Sequence, residues 1–357
     1  MKHNSRRIFL RHVTLGTGAL VFNSFLTACE QAITSTPSIQ ATSTLLKPTE
    51  IPPQASPTSG DQSTQKSPID PTSTMQPPTA NVVPTPEYPY LVVARGGEPE
   101  VLVQRALSAI GGIERFLSKG ANVIIKPNIC TAYYPYEYAA TTNPWVVSAL
   151  VKLCIGAGAK SVKVMDFPFG GTAEEAYARS GIEKEVKAVG GEMPIMSALK
   201  FVPTTLPDAV VYKKSNIYDD ILKADVLINV PIAKHHNLSR LTLGMKNLMG
   251  VVKDRPVMHS NLAPNLADLA AFIKPALTVI DAIRILRNNG PTGGNLDDVK
   301  KIDTIIMSPD IVAADAYGST LFGYKPDDLN FVKEGAKIGL GRLDLENLKI
   351  EEINVGA

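Results

Sequence analysis

Several features that define other protein classes are scarce or missing in this 357-residue sequence. It contains three cysteines, Cys29, Cys130 and Cys154, too few and too scattered for a CxxC-type cluster, so we expect no iron–sulfur cluster. Lysine and arginine total 36 against 34 aspartate and glutamate, which leaves no large basic surface, so we expect no nucleic-acid partner. The GxGxxG spacing is also missing at the early pair Gly96-Gly97, which disfavours dinucleotide binding.

The N-terminal apolar stretch, residues 13–26, is too short to anchor the chain in a membrane. It has about 14 residues, whereas a spanning helix needs about 20. The pair Arg6-Arg7 precedes it and Leu26-Thr27-Ala28-Cys29 ends it. The first motif resembles a twin-arginine export signal and the second resembles the lipobox of bacterial lipoproteins. We therefore expect residues 1–29 to be a signal peptide, read by the export machinery for folded proteins and ending at the lipobox cysteine Cys29.

Lipid on Cys29 would place the protein at the cell membrane, on the extracytoplasmic side, with membrane lipid as a partner. The alternatives are a processed signal with an incidental cysteine, or an uncleaved membrane helix. Proline, serine and threonine supply 30 of the 58 residues from 31 to 88, so this segment cannot bury enough apolar surface to offset the entropy of ordering. We expect a disordered linker over residues 30–88 and one folded domain over residues 89–357.

Short apolar runs alternate with helical patterns throughout that domain, as βαβ units do. Candidate helices begin at Pro99 and at Pro144, which Asn143 would cap, and two more cover residues 266–272 and 311–321. The candidate strands are residues 91–94, 123–126, 162–166, 226–230, 277–281 and 304–307. The pattern predicts an α/β fold with a mostly parallel, doubly wound sheet and helices on both faces.

Polar residues stand at the carboxyl ends of four predicted strands. They are Lys126 with Asn128, Asp166, Asn229 leading to Lys234, and Asp281. Ligands of open parallel sheets bind beyond these ends, so the residues predict one polar site. The alternative is that each is an ordinary turn or cap residue.

The segment from residue 229 to residue 259 is the richest in cationic side chains. It holds five cations, three histidines and a single carboxylate, Asp254, which together predict a pocket for an anionic group such as phosphate or carboxylate. The alternative is a solvated basic face. The cations are Lys234, Arg240, Lys246, Lys253 and Arg255, and the histidines are His235, His236 and His259. Gly290, in the glycine-rich stretch 289–294, would add backbone N–H donors.

His235 and His236 are neighbours on an extended segment, so their side chains point to opposite faces. We favour His236 for the site. A divalent metal is the cofactor that such histidines and carboxylates would bind.

These motifs occur in an order that resembles the domain-of-unknown-function family 362, with similarity over residues 90–345. They are Lys126-Pro127-Asn128, Thr142-Asn143-Pro144, Asp166, Asn229-Val230-Pro231, Lys234, His236, Lys246-Asn247 with Gly250, His259, Asp281 and Asn289-Gly290-Pro291. The resemblance implies a fold and a polar site without an established reaction. Many members of the family are described as iron–sulfur proteins because they carry an added cysteine module. This sequence lacks that module, so electron transfer is not expected of it.

Two classes of function stay open. In an enzyme, catalytic groups would bind metal or move protons while other residues hold a small anionic ligand; the alternative is a lipoprotein that binds a solute without turnover. The catalytic candidates are Asp166, His236, His259 and Asp281. The ligand-binding candidates are Lys126, Asn128, Asn143, Lys234, Lys246, Asn247 and Gly290. Cys130 and Cys154 would pair in a disulfide if the domain oxidises outside the cytoplasm, and stay reduced otherwise.

Overall fold

Eleven strands and ten α-helices make up residues 88–356, the part of the chain that the computed structural model describes. The strands are β1 (Leu91–Arg95), β2 (Asn122–Pro127), β3 (Ser161–Val164), β4 (Phe201–Thr205), β5 (Lys214–Tyr218), β6 (Val226–Val230), β7 (Ile232–His236), β8 (Arg240–Thr242), β9 (Leu277–Leu286), β10 (Val299–Ser308) and β11 (Ile350–Asn354). The helices are α1 (Pro99–Ala109), α2 (Pro144–Gly156), α3 (Ala173–Ser180), α4 (Ile182–Ala188), α5 (Asp219–Lys223), α6 (Gly244–Asn247), α7 (Arg255–Ser260), α8 (Leu262–Ile273), α9 (Ile311–Thr320) and α10 (Asn330–Lys337).

The predicted signal peptide and most of the predicted linker, including Arg6, Arg7 and Cys29, lie outside the described residues. Within residues 88–356, none of the helices combines the length and the apolar character needed to cross a membrane.

Nine of the strands form one mixed sheet, in the order β11-β1-β10-β9-β6-β2-β3, with β7 paired to β9 and to β8. Strands β2, β3, β6 and β9 run parallel to their neighbours among themselves, and β10 runs antiparallel to both β1 and β9. The predicted mostly parallel α/β sheet is therefore confirmed. Its antiparallel pairings are those of β10 with β1 and β9 and that of β7 with β8.

Helices cover both faces of the sheet because its strands are apolar on both sides. In β1, Leu91 and Val93 enter one core, which α8, α9 and α10 cover, whereas Val92 and Ala94 enter a second core under α1 and α2. A strand buried on both faces is a continuous apolar run rather than an alternating one. The double layer of helices is the doubly wound arrangement that the sequence predicts.

The helix starts follow their capping residues. The Asn143 side chain accepts a hydrogen bond from Trp145 N–H, and Pro144 occupies the first helical position of α2. Asp310 accepts hydrogen bonds from Val312 and Ala313 N–H at the start of α9. Both helices begin where the sequence predicts, whereas α8 begins four residues before the predicted start.

Pro231 divides one long strand path into β6 and β7. Strand β9 pairs first with β6, where Ile228 lies opposite Leu277, and then with β7, where Ile232 lies opposite Asp281. The second half of this path carries Lys234 and His236 past the end of β6. Strand β9 itself runs five residues past Asp281, so the predicted strand end there is wrong.

The sequence leaves open whether Cys130 and Cys154 pair in a disulfide, and in this structure both thiols are free. Cys154 lies on α2, buried in the core beneath the sheet. Cys130 follows β2 and faces a different environment, described next.

Candidate functional site

A cavity of about 530 Å³ opens beyond the carboxyl ends of β2 and β7. The segment after β2 supplies Asn128 and Cys130 to its wall, and β7 supplies His236. Asp166, two residues after β3, completes this side. The short helices α6 and α7 close the opposite side with Lys246, Asn247, Arg255 and His259. Six of the candidates predicted from the sequence thus line one cavity: Asn128, Asp166, His236, Lys246, Asn247 and His259.

Lys126 and Asp166 form a buried ion pair in the cavity wall, with 2.7 Å between Nζ and Oδ1. The ammonium of Lys126 also donates to Pro127 O and Asn247 Oδ1, so all three of its N–H groups have acceptors. Burial lowers the pKa of Lys126, and Asp166 opposes that shift. Lys126 therefore holds the wall together, and this bonding opposes its predicted direct contact with a ligand.

Asp166 has a similar structural duty. Its carboxylate accepts hydrogen bonds from Ile129 N–H at 2.6 Å and Phe167 N–H at 2.9 Å, besides its bond to Lys126. Gly250 packs against this pair so closely that an added Cβ would lie 1.9 Å from Asp166 Oδ1. The glycine of the Lys-Asn-Leu-Met-Gly motif is thus required by the ion pair, and not by its own backbone conformation.

A chain of three amides ties the strands to α6. Asn128 donates to Asn247 Oδ1, Asn247 donates to Asn229 Oδ1, and Asn229 donates to Gly244 O, all at 2.8–3.0 Å. Because each amide has a fixed donor and acceptor side, the chain sets the orientation of every member. It leaves Asn128 Oδ1 facing Cys130 Sγ at 3.1 Å.

Lys246 differs from these satisfied groups. Only 8% of the residue is exposed, and within residues 88–356 its ammonium has neither a hydrogen-bond acceptor nor an ion-pair partner. Burial lowers the pKa of Lys246 to about 8; the charges of Lys234 and Arg255 act in the same direction, while Cys130 opposes them. A buried cation at a cavity wall without an anion is an incomplete arrangement.

His236 is held as a neutral hydrogen-bond donor. Its Nδ1 accepts from Leu238 N–H at 3.1 Å and Ser239 N–H at 3.4 Å, so the ring proton lies on Nε2. Burial, reinforced by the Lys246 charge, lowers the pKa of His236 to about 3. The ring thus offers an N–H group rather than a lone pair. This geometry opposes the predicted use of His236 as a metal ligand or general base.

The other two histidines lie differently. His259 lines the cavity, and burial together with the Lys246 charge lowers its pKa. His235 does not line the cavity, and its Nδ1 accepts from Gly290 N–H at 3.1 Å. Gly290 approaches so closely that an added Cβ would lie 1.9 Å from His235 O. The predicted role of Gly290 as an anion-binding donor is therefore wrong, because its N–H is bonded to His235.

Arg255 and Thr242 are cavity residues that the candidate set omits. The Arg255 guanidinium lies over the rings of Phe167 and Phe169, 5.2 and 5.8 Å from their centroids, and donates to Phe167 O. The Thr242 hydroxyl is buried at the cavity wall and has no hydrogen-bond partner within the described part of the chain. The sequence signals Arg255 only as one cation among five, and it gives no signal for Thr242.

Lys234 lies behind the cavity wall rather than in it. It is fully buried, and its Nζ donates to Ala140 O at 2.6 Å, Pro291 O at 2.8 Å and Cys130 Sγ at 3.2 Å. Its three donors are used, which opposes the predicted contact of Lys234 with a ligand. Its position instead places a charge directly behind the Cys130 thiol.

Asp281 and Asn143 do not belong to the cavity. Asp281 lies inside β9, where its carboxylate accepts from Asn143 N–H at 2.7 Å and Ile283 N–H at 3.0 Å, and burial raises the pKa of Asp281 to about 6. These bonds join β9 to the start of α2. This placement opposes the predicted catalytic role of Asp281 and ligand-binding role of Asn143, and the bonds they make are structural.

The donor set of the cavity suits an anion better than a metal. In residues 88–356, His, Cys, Asp and Glu side chains form no group of three or more that could hold a metal ion. The carboxylate that lines the cavity, Asp166, already has a cation beside it. The free polar groups of Lys246, Thr242 and His236 all bear hydrogens that they can donate.

Comparison with known proteins gives relatives of limited similarity. The chain is 27% identical over 250 residues to the thylakoid-associated protein of Synechocystis sp., covering 66% of this chain and 73% of that protein. The lactate racemase apoprotein from Thermoanaerobacterium thermosaccharolyticum superposes with a TM-score of 0.39 at 15% identity, over 60% of this chain and 53% of the other. A protein from Thermotoga maritima gives 0.34 at 10% identity, over 58% and 54%. The chain thus spans about half the length of these two structures.

The family match is shorter than these pairwise alignments, but it identifies the family. Residues 123–320 match the family described as Domain of unknown function (DUF362), which covers more than half of the chain. The matched range begins in β2 and ends with α9, so it contains every residue of the cavity. The chain belongs to the Domain of unknown function (DUF362) family.

Proposed function

We propose that the cavity binds a small organic anion, and Lys246 carries this proposal. A buried ammonium without an acceptor is costly unless a partner arrives. A carboxylate or phosphate of a ligand would supply that partner directly at the cavity wall. The alternative explanation, that Lys246 is a solvated basic side chain, does not fit, because only 8% of the residue is exposed.

The surrounding charges support the same ligand class. Lys246 and Arg255 line the cavity together with His236 and His259, whereas its acid, Asp166, is paired with Lys126. Lys246 and Arg255 thus give the wall two cations that no carboxylate of the cavity neutralises, which favours anions over cations. The Thr242 hydroxyl and the His236 Nε2–H group add neutral donors for the same anion.

The rest of the wall indicates that the ligand has an apolar part. Phe167, Phe169, Leu238 and Met249 line the cavity beside the cations. Binding sites for small organic molecules usually combine a largely apolar wall with a few placed polar groups. An anion that carries an aromatic or aliphatic group fits this wall better than inorganic phosphate does.

The experiment is calorimetric titration with inorganic phosphate and with phenyl phosphate. We expect phenyl phosphate to bind more tightly, because its ring buries apolar surface. Replacing Lys246→Met should weaken both by about 1.5–3 kcal/mol, or about ten- to hundredfold in Kd. Lys253→Met is the matched control, because Lys253 is exposed in the same segment. Equal affinity in wild type and Lys246→Met would refute the anion site.

We also propose that the protein is held at the extracytoplasmic side of the cell membrane by lipid on Cys29. The support is the sequence of residues 1–29, in which the paired arginines, the short apolar run and the lipobox follow one another. Two or more acyl chains would anchor it stably, whereas one would not.

Membrane fractionation with radiolabelled palmitate tests this location. Replacing Arg6 and Arg7 by lysine should leave precursor in the cytoplasm, and Cys29→Ala should prevent labelling while Cys154→Ala should not affect it. If both N-terminal variants fractionate and label as the wild type does, the location is wrong.

A further inference from the structure

The Cys130 thiol lies in the cavity wall, and the proposed binding of an anion does not require it. It follows β2, is partly exposed, and lines the cavity beside Asn128. Two polar groups contact its sulfur: Lys234 Nζ at 3.2 Å and Asn128 Oδ1 at 3.1 Å. We propose that Cys130 is a nucleophile of this cavity and that the buried ammonium of Lys234 holds it as a thiolate. This inference rests on the proposed anion site.

Lys234 needs the thiolate as a counter-charge. Its three N–H groups point at Ala140 O, Pro291 O and Cys130 Sγ, and within residues 88–356 it has no carboxylate partner. Carbonyl groups satisfy hydrogen bonds but do not neutralise a charge that is fully buried. A thiolate at the third position does both, and a lysine beside a cysteine stabilises its ionised form.

The other charged groups around the sulfur are mostly positive. Lys126 on β2, Lys246 on α6 and Arg255 on α7 each interact electrostatically with Cys130. His236 on β7 and His259 on α7 line the same cavity, and the acid there, Asp166, is paired with Lys126. Asn128 Oδ1 acts in the opposite sense, because it accepts a hydrogen bond from the protonated thiol. The thiolate therefore depends on Lys234.

The unpartnered groups of the cavity indicate what Cys130 would attack. Lys246 and Thr242 would hold the charged group of an anionic ligand, which brings another atom of that ligand to the sulfur. The substrate class is a carboxylate- or phosphate-bearing molecule with an electrophilic carbon. In the reaction a lone pair of Sγ forms the new S–C bond, and the leaving group departs with the electron pair of the bond that breaks.

Cys154 is an internal control for this chemistry. It is fully buried among apolar side chains of the core, and burial raises its pKa to about 12. Such a thiol is a poor nucleophile. The same full-length chain thus contains a thiol that we expect to be reactive and another that we expect to be inert.

The experiment is timed alkylation of the full-length chain with iodoacetate or iodoacetamide, followed by peptide mass mapping of each cysteine. In either case the S–C bond forms and iodide leaves. We expect the Cys130 rate to change less than about threefold between pH 8.5 and pH 6.5, whereas reduced glutathione, with an ordinary thiol, should slow by about fiftyfold. We also expect Cys130 to prefer iodoacetate over iodoacetamide more strongly than glutathione does, and inorganic phosphate to slow its reaction.

Substitutions separate the hypothesis of a Cys130 nucleophile from the hypothesis of an anion site. Lys234→Met should return Cys130 to the pH profile of glutathione, and Lys234→Arg should restore the flat profile. Lys246→Met should remove the iodoacetate preference and leave the profile flat. Should Lys234→Met fail to fold, the wild-type profile still decides. A Cys130 rate as low as that of Cys154, or one that falls with pH as glutathione does, overturns the nucleophile. A flat profile without iodoacetate preference or phosphate protection supports the nucleophile and contradicts the anion site.

Discussion

Buried charges in this protein are of two kinds, which differ in whether their partners are already present. The carboxylates of Asp281 and Asp315 lie inside the fold and accept hydrogen bonds from backbone N–H groups: Asn143 and Ile283 in the first case, Gly244 and Met245 in the second. The ammonium of Lys246 lies at the cavity wall and has no such partner within residues 88–356.

The presence or absence of a partner separates structural from functional polar residues in this protein. Burial raises the pKa of Asp281 to about 6 and that of Asp315 to about 7, while it lowers the pKa of Lys246 to about 8. A perturbed pKa is therefore common to both kinds and does not identify a site by itself. What distinguishes Lys246 is an unfilled hydrogen-bonding position next to empty volume.

Removing a buried structural carboxylate should change stability more than any other substitution considered. Replacing Asp281→Ala leaves the N–H groups of Asn143 and Ile283 without an acceptor inside the sheet. Each such loss costs about 1–3 kcal/mol, so we expect the free energy of unfolding to fall by about 2–6 kcal/mol. Urea denaturation followed by circular dichroism measures the change. Below the transition, phenyl phosphate affinity should equal that of the wild type.

Asp327→Ala is the control for this substitution, because Asp327 is exposed and should change stability by less than about 0.5 kcal/mol. If Asp281→Ala leaves the free energy of unfolding unchanged but abolishes phenyl phosphate binding, Asp281 belongs to the site. The presence of a bonded partner would then not distinguish structural from functional buried charges.

The fold was largely predictable because its main strands are apolar runs bounded by turn residues. β6 occupies residues 226–230 as predicted, and β1 differs by one residue. The end of β9 was missed because aspartate is a common turn residue, and nothing local shows that backbone N–H groups will donate to the Asp281 carboxylate inside a strand. The hairpin of β4 and β5 was missed because β4 has no apolar run: Phe201 is its one buried residue and Pro203 follows two positions later.

The site was predictable as a location but not as a set of contacts. Lys126, Lys234 and Lys246 are alike in sequence, since each is a lysine within one or two residues of another polar side chain. Only the three-dimensional contacts show that Asp166 satisfies Lys126, that Cys130 meets Lys234, and that Lys246 is left open. The sequence presents Cys130 only as a candidate for a disulfide. Its contact with Lys234 could not be predicted, because the two residues are 104 positions apart in the chain.

The smaller expected effect, on the cavity side, concerns the pH dependence of anion affinity. Lys246 binds an anion best while it carries its proton. Because its pKa in the free protein is about 8, the charge is present at pH 7 and is lost as pH rises through 8. Sulfate keeps its charge over this range, so we expect its affinity to fall by about tenfold or more between pH 7 and pH 9.5. Calorimetric titration at half-unit steps measures the profile.

Two variants sharpen this prediction. In Lys246→Arg the guanidinium stays protonated over the whole range, so sulfate affinity should be independent of pH, and Lys246→Met should be weak at every pH. The Cys130→Ser background removes any contribution from thiol ionisation, and the wild-type slope should persist in it. His236 and His259 do not contribute, because burial lowers the pKa of both below the range tested. If the sulfate affinity of Lys246→Arg falls with pH as that of the wild type does, another group governs the affinity. The proposed role of Lys246 in anion binding would then be wrong.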